Sequence, residues 1–157
     1  MIETSQIYNY EKNFEHAYFL LRNAIRTNSS NLLKGKPASQ EIAELAFPAV
    51  VLGAFCCELL IKARLYASDA DQKIKGHDLK KLFEKLNTGD QQSCMEFVTN
   101  KLQISAEKFN EQLNLHSNAF EKWRYGYEQD FSKPQSFCQG FIDNMIEALN
   151  KLRESTT

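Results

Sequence analysis

From Phe47 to Cys57 the chain carries no charged side chain, and the flanking apolar positions Ile42, Leu45, Ala49, Leu52, Cys56, Leu59, Ala63 and Tyr66 keep steps of three and four. That spacing predicts a helix, and the uncharged stretch leaves it no face suited to water. A helix apolar all round sits at the centre of a bundle or is shared with a second subunit. The membrane-like stretch Leu45 to Ile61 falls short of the ~20 apolar residues a span needs and contains Pro48, Gly53 and Glu58, so a buried helix is expected. Ser39 is placed to cap it, and Pro48 either kinks or restarts it.

Around this element the same period recurs. Ile7, Tyr10, Phe14, Ala17, Leu21 and Ile25 predict a first helix from about Ser5 to Thr27, broken by Asn28-Ser29-Ser30-Asn31. A short helix is expected over His77 to Leu86, facing inward through Leu79, Leu82, Phe83 and Leu86. Thr88-Gly89-Asp90-Gln91 has the form of a capping box, opening a helix to about Leu102. Ser105 caps a long helix with the stripe Phe109, Leu113, His116, Phe120, Trp123 and Tyr127, weakening at Gly126 and Asp130. Ser132-Lys133-Pro134-Gln135 opens a last helix through Phe137, Phe141, Met145, Ala148 and Leu152. Only 6 glycines and 3 prolines in 157 residues disfavour a many-stranded β fold. The expectation is a single all-α domain over residues 1–157, an antiparallel bundle of five or six helices.

Charge and thiols narrow the setting. Lys and Arg total 19 against 20 Asp and Glu, so no global field draws the molecule to a polyanion, and any such site must be a local cluster. Cys56 and Cys57 are adjacent while Cys94 and Cys138 stand alone, which gives neither a disulfide framework nor a zinc spacing; no metal or cofactor is expected. With no leader-like start after Met1, the reading is a cytoplasmic chain whose thiols act as small buried hydrophobes.

Three clusters could carry chemistry. Lysines 73, 75, 80, 81 and 85 surround the turn at Gly76-His77 against only Asp78 and Glu84, and the amides of a helix starting near His77 would make a phosphate seat with Lys75 beside it. The alternative is a solvated helix face. Trp123-Arg124-Tyr125-Gly126-Tyr127-Glu128 offers a guanidinium fork between aromatics, suited to a phosphate and a base; alternatively Arg124 pairs with Glu128 and the rings are core. Glu58 is the one acid of the apolar stretch Leu45 to Ile61, with Lys62 four residues on. Paired, it is a polar core element; unpaired, burial would raise its pKa and suit it to handling protons. His116 falls on a core stripe and His16 off one.

Together, Glu58-Leu59-Leu60-Ile61-Lys62-Ala63-Arg64-Leu65, then Gly76-His77-Asp78-Leu79 with Leu82 and Leu86, then Phe120 and Arg124-Tyr125 resemble the HEPN superfamily in order and approximate spacing, over roughly Phe47 to Glu128. The resemblance implies an antiparallel helical bundle, frequently a homodimer, that binds nucleotides or RNA in a cleft. Such proteins are common in bacterial toxin–antitoxin and phage-defence systems, so a cognate toxin or antitoxin partner is implied and a membrane is not. One departure is plain: the ribonuclease branch follows an arginine by a histidine after four to six residues, and Arg22, Arg26, Arg64 and Arg124 all lack that histidine. The implied role is therefore binding of nucleotide or RNA phosphate by Lys75, His77, Arg124, Tyr125 and Tyr127. An atypical metal-independent endoribonuclease would need His77 as proton carrier and Arg124 as charge clamp. A third reading is a non-catalytic interaction dimer packing the helix around Val50 to Phe55 on its symmetry mate.

Overall fold

A computed structural model describes residues 4–32, 40–69, 74–117 and 135–154. Among them are six helices and no strand: α1 (Thr4–Leu32), α2 (Gln40–Ser68), α3 (Leu79–Phe83), α4 (Thr88–Leu102), α5 (Ala106–His116) and α6 (Gln135–Glu154). The all-α bundle is as expected. α2 is its axis, packed against α1, α3 and α6, while α4 lies on α6 and α5 touches α3 and α4. Its lack of a polar face follows: Ala49, Val50, Ala54, Cys56, Cys57, Leu60, Ile61, Ala63 and Leu65 are all buried within the one chain.

Gly53 is where three helices meet most closely. A Cβ there would lie 2.5 Å from Cγ2 of Ile142 on α6 and 2.6 Å from Cε2 of Tyr18 on α1. Pro48 sits exposed inside an unbroken α2, so it does not restart the helix. The Tyr18 hydroxyl donates to Asp143 Oδ1, and the Arg22 guanidinium closes on both oxygens of the same carboxylate, with Nε at 3.0 and 3.1 Å. α1 and α6 are thereby tied across α2 by a polar clamp.

Several local expectations need correction. α1 does not stop at Asn28 but continues to Leu32, since asparagine and serine cost a helix only tenths of a kcal/mol each. Of the expected inward stripe, Phe14, Leu21 and Ile25 pack on the core, but Tyr10 is 67% exposed and Glu11 and Tyr18, off that stripe, are fully buried. The polar clamp and an acidic contact to α6 turn that face inward. The cap of α4 is Asn87, one residue earlier than expected. Its Oδ1 accepts from Asp90 N at 2.9 Å, its Nδ2 donates to Asp90 Oδ2 at 2.8 Å, and Gln91 donates instead to the carbonyl of Leu86. Ser105 caps α5 as expected. Ser39, the end of the long helix beyond Ser117 and the Ser132 capping box lie outside the described residues.

Candidate functional site

Glu58 and Lys62 stand one turn apart on the same face of α2. The Lys62 ammonium donates to Glu58 Oε1 at 2.7 Å, so the expected polar core pair is present. The connection after α2 then returns: Ile74 buries itself against the core, and Gly76 adopts φ +92°, a left-handed turn that side-chain-bearing residues rarely take. This turn sets His77 over Glu58, with Nδ1 2.9 Å from the same Oε1. A carboxylate is acceptor only, so Nδ1 is the protonated nitrogen of the ring. The imidazole side chain is 46% exposed while the carboxylate beneath it is 3% exposed.

The physics of this trio is that of a buried anion served by two donors. A carboxylate removed from water costs several kcal/mol unless it is paired and hydrogen-bonded, and here Lys62 and His77 both supply donors to it. In return Glu58 fixes the orientation and tautomer of a histidine that faces solvent. That is the arrangement of a proton carrier or an anion contact.

The expected phosphate seat on the backbone is not there. α3 is only Leu79–Phe83, and its early amides are already used. Leu79 N donates to Ser117 O at 2.8 Å, Lys80 N to Ser117 Oγ at 3.2 Å, and Lys81 N to Asp78 Oδ1 at 3.0 Å. Asp78 is the N-cap. Although partial burial tends to raise its pKa, the Lys81 amide, the Ser117 hydroxyl and the Lys81 ammonium together hold it below the usual carboxylate range. What remains for an anion is side chains: His77, with exposed Lys75, Lys81 and Lys85 along the same stretch.

Arg124, Tyr125 and Tyr127 lie outside the described residues. His116 is a core residue as expected: it is 1% exposed, Nδ1 donates to Gln112 O at 2.7 Å, and the ring stacks on Phe141 at 5.4 Å. Burial lowers its pKa against a smaller raising effect of the Gln112 carbonyl. His16 is exposed, away from the inward stripe.

Sequence reasoning missed a second polar connection. Arg64 clasps Asp90 with Nε to Oδ2 at 2.7 Å and Nη2 to Oδ1 at 3.0 Å, fastening α2 to the cap of α4. The signal available was a lone arginine in an apolar helix, which needs a carboxylate, but nothing local named Asp90. Cys56, Cys57 and Cys94 are buried thiols whose pKa values burial pushes up, to about 12 for Cys56 and Cys94. No group of three or more His, Cys, Asp or Glu among the described residues could hold a metal ion, and no described helix is long and apolar enough to cross a membrane.

No family model, curated protein or solved structure matches this chain.

Proposed function

We propose that this chain is a HEPN-like protein that binds the phosphate of a nucleotide or of RNA around His77, as part of a bacterial toxin–antitoxin or phage-defence system. One observation carries the reading: a solvent-facing histidine is oriented by a buried glutamate that also holds a lysine, at the edge of a basic stretch. The His77 side chain is 46% exposed, and an imidazole can accept from a ligand when neutral or donate to it with a positive charge when protonated. Lys75 adds positive charge two residues away. Arg124, Tyr125 and Tyr127 enter as sequence expectations for the opposite wall of the cleft, and a homodimer would cover the half-buried Val51, Leu52 and Phe55.

The Glu58–His77 contact favours a second reading, an atypical metal-independent endoribonuclease. A histidine backed by a carboxylate can take a proton from a 2′-hydroxyl and return one to the leaving oxygen. A single experiment tests both. Titrating a labelled single-stranded RNA with protein, with AMP as competitor, should show binding that His77→Ala and Lys75→Ala each weaken while the helical circular dichroism is retained. Loss of Lys75 should also reduce the salt dependence. Equal binding by the variants rejects the site. RNA that stays whole on a gel identifies a binder; RNA cut by the wild type and spared by His77→Ala identifies the nuclease, with Arg124→Ala testing the clamp.

A further inference from the structure

The seam between α1 and α6 is bridged by long polar side chains, and at its far end it is short of hydrogen-bond donors. Arg153 Nη1 on α6 reaches Glu11 Oε2 at 3.0 Å, and Asn150 Nδ2 reaches Glu15 Oε1 at 2.6 Å. Glu11 itself is 0% exposed, two turns inside α1. Its other oxygen, Oε1, is buried with no hydrogen-bond partner among the described residues, and so is Asn150 Oδ1. Both orphans are oxygens. A buried acceptor without a donor costs about 1–3 kcal/mol, more when it is charged, and native structures rarely leave one so.

A proton supplies the missing donor. Glu15 lies one turn after Glu11 on the same face, and the two carboxyls are within hydrogen-bonding reach of each other. As two carboxylates they would repel across that turn. As one carboxylic acid and one carboxylate, Glu11 donates through its orphan oxygen to Glu15, and Glu15 keeps its bond from Asn150. We propose that Glu11 and Glu15 share one proton in the folded protein in mildly acidic solution, and that losing it loosens the seam between α1 and α6.

The groups that face this pair agree with that assignment. Among the described residues of α1 the cation acting on it is Lys12, which is exposed and therefore weak; on α2 it meets Cys56, a buried thiol; on α6 it meets Asn150 and Arg153, the latter on the opposite oxygen. Burial is the largest influence on Glu11, followed by the hydrogen bond and the repulsion from Glu15. These outweigh Arg153 and Lys12, and they push the carboxyl up to about 7. Beside the pair, α1 and α6 part into a groove of about 340 Å³ lined by Phe19, Arg22, Arg26, Asp143 and Lys151, so the polar bridges hold much of this seam. Loss of the proton would place two carboxylates side by side where Arg153 and Asn150 reach across from α6.

The test follows the carboxyl carbon of Glu11 by NMR on the intact wild-type chain from pH 4 to 9. The inference expects a Glu11 midpoint near neutrality. A Glu11 midpoint below pH 5 overturns it. For the seam, hydrogen-exchange protection factors in α1 from Glu11 to Arg22, already corrected for intrinsic rates, should fall as the pH rises from about 4.5 to about 7 in the wild type and level off above that. They should stay level in Glu11→Gln, whose amide donates to Glu15 at every pH. An equal fall in both proteins contradicts the role given to this proton. Should Glu11→Gln not fold, the wild-type carboxyl titration alone decides.

Discussion

Replacing Gly53 by alanine probes the junction on which the bundle closes. Two effects oppose each other. Within a helix, alanine is preferred over glycine by about 1 kcal/mol, so an unhindered position would gain stability. At Gly53 the new methyl would stand 2.5 Å from Ile142 Cγ2, 2.6 Å from Tyr18 Cε2 and 3.0 Å from Tyr18 Cζ. Neither neighbour can retreat cheaply: both are essentially unexposed, and the Tyr18 hydroxyl is tied to Asp143, the residue after Ile142, which Arg22 also holds. Overpacking of this kind costs about 1–3 kcal/mol and more where the surroundings are rigid. With two fixed neighbours the upper end applies, and after the gain in propensity the net loss should be about 2 kcal/mol. With a urea slope of about 2 kcal/mol per molar for a chain of this size, the midpoint should fall by about 1 M. Gly140→Ala is the control, because its Cβ would meet nothing nearer than Leu102 Cδ2 at 3.9 Å. It should move the midpoint upward. If Gly53→Ala shifts the midpoint in the same direction as Gly140→Ala, the close approach of α1, α2 and α6 is refuted.

Arg64→Ala leaves the largely buried Asp90 carboxylate with Asn87 alone and should destabilise by about 2–3 kcal/mol in the same denaturation assay, while Arg64→Lys recovers only part because it lacks the two-pronged fork. Loss no greater than that of an exposed arginine would contradict the clasp. Cys56, Cys57 and Cys94, neutral and buried, should resist iodoacetamide at pH 8 in the native protein and react on unfolding, followed by peptide mass spectrometry. Native labelling at the rate of an exposed thiol would count against their burial.

The helices were readable because long apolar stripes with a period near 3.6 leave little choice. Leu79, Leu82, Phe83 and Leu86 are buried as their spacing requires, as are Phe141, Met145, Ala148 and Leu152. The burial of Glu11 and Tyr18 on α1 was not readable, because it is decided by Tyr18, Arg22 and Glu11 finding partners more than a hundred residues away on α6. A periodicity argument counts Tyr10 as apolar and Glu11 as polar, and here the contacts reverse both. The cap of α4 slipped by one residue for a similar reason: an asparagine followed three residues later by an aspartate can make the reciprocal bonds that a threonine–glutamine pair also could. At the site, Glu58–Lys62 was legible as a helical i,i+4 pair. The meeting of Glu58 with His77 was not, since it depends on a left-handed glycine turn and on how α3 docks against Ser117.

The most direct test of the proposed site is long-range proton–nitrogen NMR of the His77 ring, alone and during titration with single-stranded RNA. The account predicts a proton on Nδ1, toward Glu58, and an Nε2 resonance that moves in step with RNA binding. If RNA binds while both ring nitrogens of His77 stay where they were, the phosphate does not sit there.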